Sequence, residues 1–399
     1  MTSRPRWAPA LLTLALLTGA CADTAPPDIG SESDPGGSVA PPETAATTGD
    51  GTTSTVPEAP TAAPEPFGWV GEGTAITMAR ASSSDGFVRA EIVRLLLTEL
   101  GYVVNDLENI ELSPAYFHEV LGNGEVDLWA DGRQPDDAAY WTIELADGST
   151  VADHVTSIGD LVPEGRLEGF VVDRMSALAI ADLTLDRIDA DDEVRERFID
   201  RSEEDSPGSV LLLGCAEERP CGDQIDEQIR FAGWVTIEQR RIDSTERADL
   251  VLDRVADGAP VIAHLTSPSA AAARLIPGEN VVWLSVDPTS VLDGSITAAW
   301  NQRVDGVAAA APVAATTCST DPCVLSWRHT RLTVTARVDF LDDNPEAAAL
   351  LASISIPAAD LSEAILRQEE GTDPRQLAIE WVAANRSLVD GWLGAAISG

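Results

Sequence analysis

From about residue 75 the apolar positions fall into short groups that alternate between two spacings. Ala75 to Ala79 predicts a first strand. The next segment places Val88, Ile92, Leu95, Leu96 and Leu100 at helical spacing, and Gly101 stops it. Tyr102 to Val104 begins another strand. Ser113-Pro114 predicts a helix start, with serine at the cap and proline in the first turn. That helix ends at Gly122, and Val126 to Trp129 predicts the next strand. Further strand-like runs are Gly169 to Val172, Val210 to Leu213, Val261 to His264, Val281 to Val286 and Leu332 to Ala336. Helical patterns lie between and after them, notably Pro345 to Ile354, Ala358 to Gln368 and Pro374 to Ala384. Such alternation predicts an α/β fold, and Phe67 to Gly399 is long enough for two lobes.

The beginning of the chain follows another pattern. Arg4 and Arg6 precede an apolar run from Trp7 to Leu17, too short to cross a hydrocarbon core of about 30 Å. Leu17-Thr18-Gly19-Ala20-Cys21 then sets small residues directly before a cysteine, the form cut by a lipoprotein signal peptidase. Residues 1–20 therefore read as a signal peptide and Cys21 as the lipidated N-terminus, against an ordinary secretory signal in which Cys21 is incidental. Ala22 to Pro66 is Pro, Thr, Ala, Gly, Ser and acid with almost no large apolar residue. It cannot bury enough surface to offset its ordering entropy, so residues 21–66 are expected to form a disordered tether.

Charge and cysteines narrow the picture. The formal net charge is −40 and all basic residues are arginine. A field of that sign excludes nucleic acid as a partner, and the lack of lysine excludes Schiff-base chemistry. With Cys21 lipidated, four of the five cysteines remain, in two close pairs, Cys215 with Cys221 and Cys318 with Cys323. In an exported protein these read as two short-loop disulfides; the rival is a four-thiolate zinc site, although such sites use tighter spacings. There is no G-x-S-x-G, H-E-x-x-H or P-loop, and His118, His154, His264 and His329 are scattered. No catalytic set, cofactor or metal is predicted.

Five segments taken in order carry a resemblance: "ITMARASSSDGFVRAEIVRLLLTELGY", "YFHEVLGNGEVDLWADGRQP", "LLLGCAEERPCGDQIDEQIRFAG", "GAPVIAHLTSPSAAAARLIPGENVVWLSVD" and the tail "IEWVAANRSLVDGWLGAA". From about Thr74 to Gly399 the chain resembles the glycine betaine/proline betaine substrate-binding proteins of ABC transporters. The resemblance implies a two-lobed type II periplasmic-binding-protein fold with hinge strands and a ligand cleft. The lobes are expected as 67–172 with 326–399, and 173–325 between them. It also implies an extracytoplasmic protein that closes on a solute and docks on an ABC permease, a role that the lipid anchor expected at Cys21, at the outer face of the cell membrane, fits independently.

The family's ligand positions are altered. Its W-x-P-x-H segment stands here as Arg133-Gln134-Pro135-Asp136-Asp137, so arginine replaces a cage tryptophan and Asp137 the histidine. Its G-C-x-x-G-W-G-C loop is Gly214-Cys215-Ala216-Glu217-Glu218-Arg219-Pro220-Cys221, with Arg219 in place of tryptophan and Pro220, which has no N–H, in place of glycine. Thr266 precedes Ser267-Pro268 where a third cage residue is expected. Arg133, Asp137, Arg219 and Thr266 are thus the candidate ligand contacts. Two arginines repel a trimethylammonium group and suit a carboxylate or phosphate; Asp137 and Glu218 could accept an ammonium or hydroxyl donor. The expected ligand is a small polar or zwitterionic solute. Two alternatives stay open: the arginines pair with neighbouring acids in a ligand-free sensor or scaffold, or a betaine cage is rebuilt from Trp129, Tyr140, Trp141, Phe87 and Trp327. Trp283, Trp381 and Trp392 read as core.

Overall fold

The computed structural model describes residues 70–199, 208–217, 220–291 and 313–398. The signal peptide, Cys21, the tether, Glu218 and Arg219 lie outside the described residues. In chain order the strands are β1 (Ala75–Ile76), β2 (Met78–Ala81), β3 (Val103–Val104), β4 (Glu111–Leu112), β5 (Leu128–Gln134), β6 (Val155–Asp173), β7 (Val210–Gly214), β8 (Ile237–Arg241), β9 (Ile262–Ser267), β10 (Val281–Leu284) and β11 (Thr330–Arg337). β1 and β3 form a small parallel pair. Among the described residues the other nine make one sheet, ordered β4-β2-β5-β11-β6-β9-β7-β8, with β10 also on β6.

The sheet has a seam. β4, β2 and β5 are parallel, as are β8, β7 and β9. Between these groups run the antiparallel β11 and the long β6. The first part of β6, to Arg166, pairs with β11; from Leu167 onward it pairs with β9 and, further along, with β10. Register shifts on β11 accompany Gly159 (φ 71°) and Gly165 (φ 66°) of β6, bulge geometry in the left-handed region that glycine alone adopts without strain.

The apolar interior divides at that seam. One large cluster joins the helix Phe87–Glu99 to the C-terminal helices through Val88, Leu96, Leu350, Leu377 and Leu393, and a smaller one gathers Phe117, Leu121 and Trp129. Two further clusters contain Phe170, Leu212, Ile262, Leu284 and Trp327, and Leu213, Leu265, Trp283 and Leu325. The two sides also touch directly: the short helix Ala270–Arg274 packs on Ala358–Glu369, and Ser269 N donates to Ser362 Oγ at 3.3 Å.

The helical expectations correspond to Phe87–Glu99, Pro114–Gly122, Pro345–Ser353, Ala358–Glu369 and Pro374–Ala384. The strands depart from expectation at several places. β6 begins at Val155, well before the expected Gly169, because polar and charged positions interrupt its first half. β4 and β8 were not anticipated: β4 has only two residues, and on the edge strand β8 Ile237 is buried but Glu238 and Arg240 face solvent.

Candidate functional site

Strands β2 and β5 run parallel, and beyond Ala81, the last residue of β2, the chain enters the helix Phe87–Glu99. In open α/β sheets the edge at the carboxyl ends of the strands gathers helix N-termini and loops, and ligands bind there. Arg133 lies on it. Its Nη2 donates to Asp131 Oδ2 at 3.0 Å and to Asp85 Oδ2 at 3.4 Å. Arg89, in the first turn of the helix, donates through Nε to the Ala130 carbonyl at 2.8 Å and pairs with Asp131. The side chain of Arg133 remains 24% exposed, and its Nε and the Oδ1 of Asp85 have no partner. Asp131 first, then Asp85 and Asp137, raise the guanidinium pKa against the opposing effect of burial. Burial works on Asp85 in the opposite direction, but Arg133 and Ser83 hold its carboxyl below the usual range.

The chain then turns through Asp136–Thr142. Asp137, 4% exposed, accepts the Arg133 backbone N–H at 2.7 Å. Burial pushes its carboxyl up to about 7, although the hydrogen bond from Arg133 N–H opposes this. Asp136 accepts from Thr330 Oγ1 at 2.9 Å and pairs with Arg328 at 3.7 Å. Thr266 belongs to the other group of strand ends: it lies on β9 opposite Glu168, and its carbonyl accepts from Ser269 Oγ at 2.5 Å. β11 and β6 lie between β5 and β9, and β9 pairs with β6 beyond Arg166, away from the part on which β11 lies. Arg133 and Asp137 are therefore brought together, while Thr266 lies across the seam from them. Arg219, on the loop after β7, is outside the described residues, as is Glu218; that loop is closed by a Cys215–Cys221 disulfide, and Cys318–Cys323 forms the second.

The aromatic candidates have protein neighbours. The guanidinium of Arg80 lies 3.9 Å from the Phe87 ring centroid, so that face already holds a cation. Tyr140 stacks on His118 at 5.1 Å. Trp129 packs on Phe117 at 3.9 Å, and Trp327 meets Phe170 and His264 edge-on at 5.4 and 5.6 Å. Trp141 packs against the cluster around Phe117. Trp283 is buried, and Trp381 stacks on Trp392 at 6.1 Å.

Sequence reasoning missed Asp85, Arg89 and Asp131. One signal was present: Arg89 stands three and four residues before Ile92 and Val93, placing a guanidinium on an apolar face. Cavity volume does not locate the site. A cavity of about 410 Å³ lined by Gly159, Asp160, Pro163, Arg331 and Ser353 contains none of the candidates, nor does one of about 250 Å³ lined by Ile180, Arg187, Asp191 and Arg197.

Comparison with known proteins adds an independent line. Residues 74–384 match the family model described as the substrate binding domain of ABC-type glycine betaine transport systems. The chain is 25% identical over 335 residues to the glycine betaine-binding periplasmic protein OusX of Dickeya dadantii, covering 82% of this chain and 91% of that protein. It is 24% identical over 336 residues to the glycine betaine/proline betaine-binding periplasmic protein of Escherichia coli K12, covering 82% and 92%. Among solved structures, the glycine betaine, L-proline-binding protein ProX of Borrelia burgdorferi aligns with a TM-score of 0.48 at 11% identity, covering 80% of this chain and 96% of that one.

Proposed function

The chain belongs to the family of substrate-binding domains of ABC-type glycine betaine transport systems; from that membership we propose that it delivers a small polar zwitterion to a membrane permease, and from the residues before Cys21 that it is a lipoprotein anchored there. The family is one of extracytoplasmic solute-binding proteins, so the role is binding and not catalysis. Its α/β architecture is the family's type II periplasmic-binding-protein fold. Within it we assign residues 67–172 and 326–399 to one lobe and 173–325 to the other; the separate apolar clusters and the pairing change on β6 at Arg166 and Leu167 support two lobes, while Leu167, Phe170, Val172 and Trp327 pack with residues of the second. Closure would select the ligand-bound member of an open–closed equilibrium.

The observation that carries the ligand reading is the set of buried charges at Arg133, where the family has a cage tryptophan. Phe87 and Tyr140 support it, because a protein cation or ring already covers each of them. Two buried atoms of the set are unpartnered in this conformation, a donor at Arg133 Nε and an acceptor at Asp85 Oδ1, and a solute would reach them only as the lobes move. An anionic group satisfies the first and an ammonium N–H the second. A quaternary ammonium has no N–H to give. The favoured solute is therefore an amino-acid-like zwitterion with N–H donors, delivered to the permease by the closed form.

A second reading, the ligand-free sensor or scaffold, is favoured by one fact: the protein itself already supplies two carboxylates to Arg133 Nη2. A thermal-shift screen of the full chain separates the readings. Glycine betaine, proline betaine, carnitine and choline are set against amino acids, carboxylates and phosphate esters. A ligand at about a hundred times its dissociation constant stabilises by about 2.7 kcal/mol, a visible rise in melting temperature. A rise with N–H-bearing zwitterions that Arg133→Ala abolishes is expected. A rise with quaternary amines alone would overturn the charged-cleft reading, and no response to any compound would favour the scaffold.

A further inference from the structure

The two disulfides are matched in burial and differ in surroundings. Cys215 and Cys323 are 4% and 5% exposed, and their partners Cys221 and Cys318 are only partly buried. Beside the second pair lies a hydroxyl, Ser285 Oγ, 3.4 Å from Cys318 Sγ and 4.0 Å from Cys323 Sγ. Beside the first lies an imidazole. His264 Nδ1 is 3.4 Å from Cys215 Sγ, and its Nε2 is 3.2 Å from Glu168 Oε1. Arg166 pairs with Glu168 at 2.5 Å. Acid, imidazole and sulfur thus form one buried line from β6 through β9 to the residue after β7.

A disulfide sulfur carries no proton, so the line has no proton to handle while the bond is intact. Glu168 is a charged acceptor: burial opposes its ionisation, but Arg166 and His264 bring its carboxyl down to about 2. It therefore holds the proton of His264 on Nε2 and turns the Nδ1 lone pair toward sulfur. Burial lowers the His264 pKa, and Glu168 opposes that. Breaking the bond changes the demand on the line, because a thiolate departing from Cys215 is buried and needs a proton or a cation.

We propose that Cys215–Cys221 is a reversible thiol–disulfide site, opened by dithiol reductants, in which His264 stabilises the departing Cys215 sulfur and Glu168 positions His264. A thiolate of the reductant attacks Cys221 Sγ, the less buried sulfur. The S–S bond breaks, its electron pair stays on Cys215 Sγ, and a proton from solvent arrives through His264 Nδ1. The second thiol of the reductant attacks the mixed disulfide, is oxidised to a disulfide and releases Cys221, which also takes a proton. Two electrons and two protons have then passed from the dithiol to the two cysteines. The charges facing the imidazole are Glu168 and Arg166 from β6 and Arg247 from the helix Ser244–Asp257, which also donates to the Gly214 carbonyl. Glu168 favours an imidazolium and Arg247 a thiolate, so the pair formed on reduction has a counter-charge on each side.

The test exposes the full chain to dithiothreitol, alkylates free thiols at intervals, and reads by peptide mass which pair has opened. The matched burial makes Cys318–Cys323 an internal control. Cys215–Cys221 should open at least about ten-fold faster than that control. His264→Gln should remove most of the difference, and the isosteric Glu168→Gln should reduce it and shift its pH profile, a readout that a merely structural role for Glu168 would leave in place. The wild-type ratio needs no variant to fold. Equal rates for the two pairs, earlier opening of the control, or a ratio unchanged in His264→Gln would each overturn the proposal.

Discussion

Asp137 and His118 have opposite linkages to pH, and their proximity lets each mask the other. His118 Nδ1 donates to the Pro114 carbonyl at 2.7 Å, which leaves the unprotonated Nε2 facing Asp137 Oδ2 at 3.8 Å. Burial pushes Asp137 up to about 7 and His118 down to about 4. A raised carboxyl means that folding takes up a proton, so the Asp137 contribution is full at low pH and is lost as pH rises from about 4 to about 7. A depressed imidazole means that folding releases one, so the His118 contribution grows from about pH 4 to about 6.5. Each changes stability by at most about 1.4 kcal/mol per pH unit, and in the wild type the two slopes largely cancel. Asp137→Asn should leave a protein whose stability rises with pH across this window. His118→Gln should leave one whose stability falls. Urea unfolding at three pH values between 4.5 and 6.5 checks both signs; profiles parallel to wild type in both variants would show that the pair does not titrate as the geometry implies. The partners of this site were only partly legible in the sequence. Arg133 and Asp137 were found because they stand at positions aligned with a family motif. Asp85, 48 residues away from Arg133 in the chain, was not, because only the packing of a helix start over a strand end brings the two together.

At the scale of elements, β6 shows what periodicity could and could not reveal. Its second half, Gly169 to Val172, reads as a strand because apolar residues pack on both faces. Its first half carries Ser157, Asp160, Glu164, Arg166 and Glu168, and the two glycines break the alternation that would have marked a half-buried strand. The helix Ala358–Glu369 was legible for the opposite reason, since its buried residues fall on one face, and Phe87–Glu99 because Val88, Ile92, Leu95 and Leu96 keep helical spacing although it is buried on most sides. The glycines are also where β6 is most sensitive. At Gly165, φ is +66°, and an added Cβ would meet the His329 ring and the Thr330 carbonyl. Gly165→Ala should therefore cost about 1–3 kcal/mol in stability. Gly391, in the helix Arg386–Ser398, has no neighbour within 4 Å of the added atom. Gly391→Ala should be neutral or stabilising by up to about 1 kcal/mol. Chemical denaturation of the two variants side by side tests the contrast, and a Gly165→Ala protein as stable as Gly391→Ala would remove the backbone argument.

For the whole molecule, charge and anchor have to be considered together. A net charge of −40 is repelled by the anionic lipids of a bacterial membrane, so the folded body has no electrostatic reason to stay at the surface where a permease works. Among the described residues no single helix is long and apolar enough to cross a membrane. Retention then rests on the lipid proposed at Cys21. One acyl chain gives only marginal, reversible attachment, whereas two give stable anchoring. On the reading proposed above, cleavage before Cys21 would leave a diacylated cysteine. This leads to a specific dependence on salt and sequence. Wild-type protein should remain in the membrane pellet at both low and high ionic strength, because screening weakens a repulsion and leaves the hydrocarbon contribution intact. Cys21→Ser protein should move to the soluble fraction or stay as uncleaved precursor, distinguishable by mass, and a cleaved soluble form should melt at the wild-type temperature, since Cys21 is not among the cysteines of either disulfide. Ultracentrifugation at two salt concentrations with mass analysis of each fraction makes the measurement. Release of the wild type by salt alone, or a cleaved Cys21→Ser protein that still pellets, would mean that a protein contact holds this chain at the membrane, and the lipid would no longer be needed to explain how the solute reaches its permease.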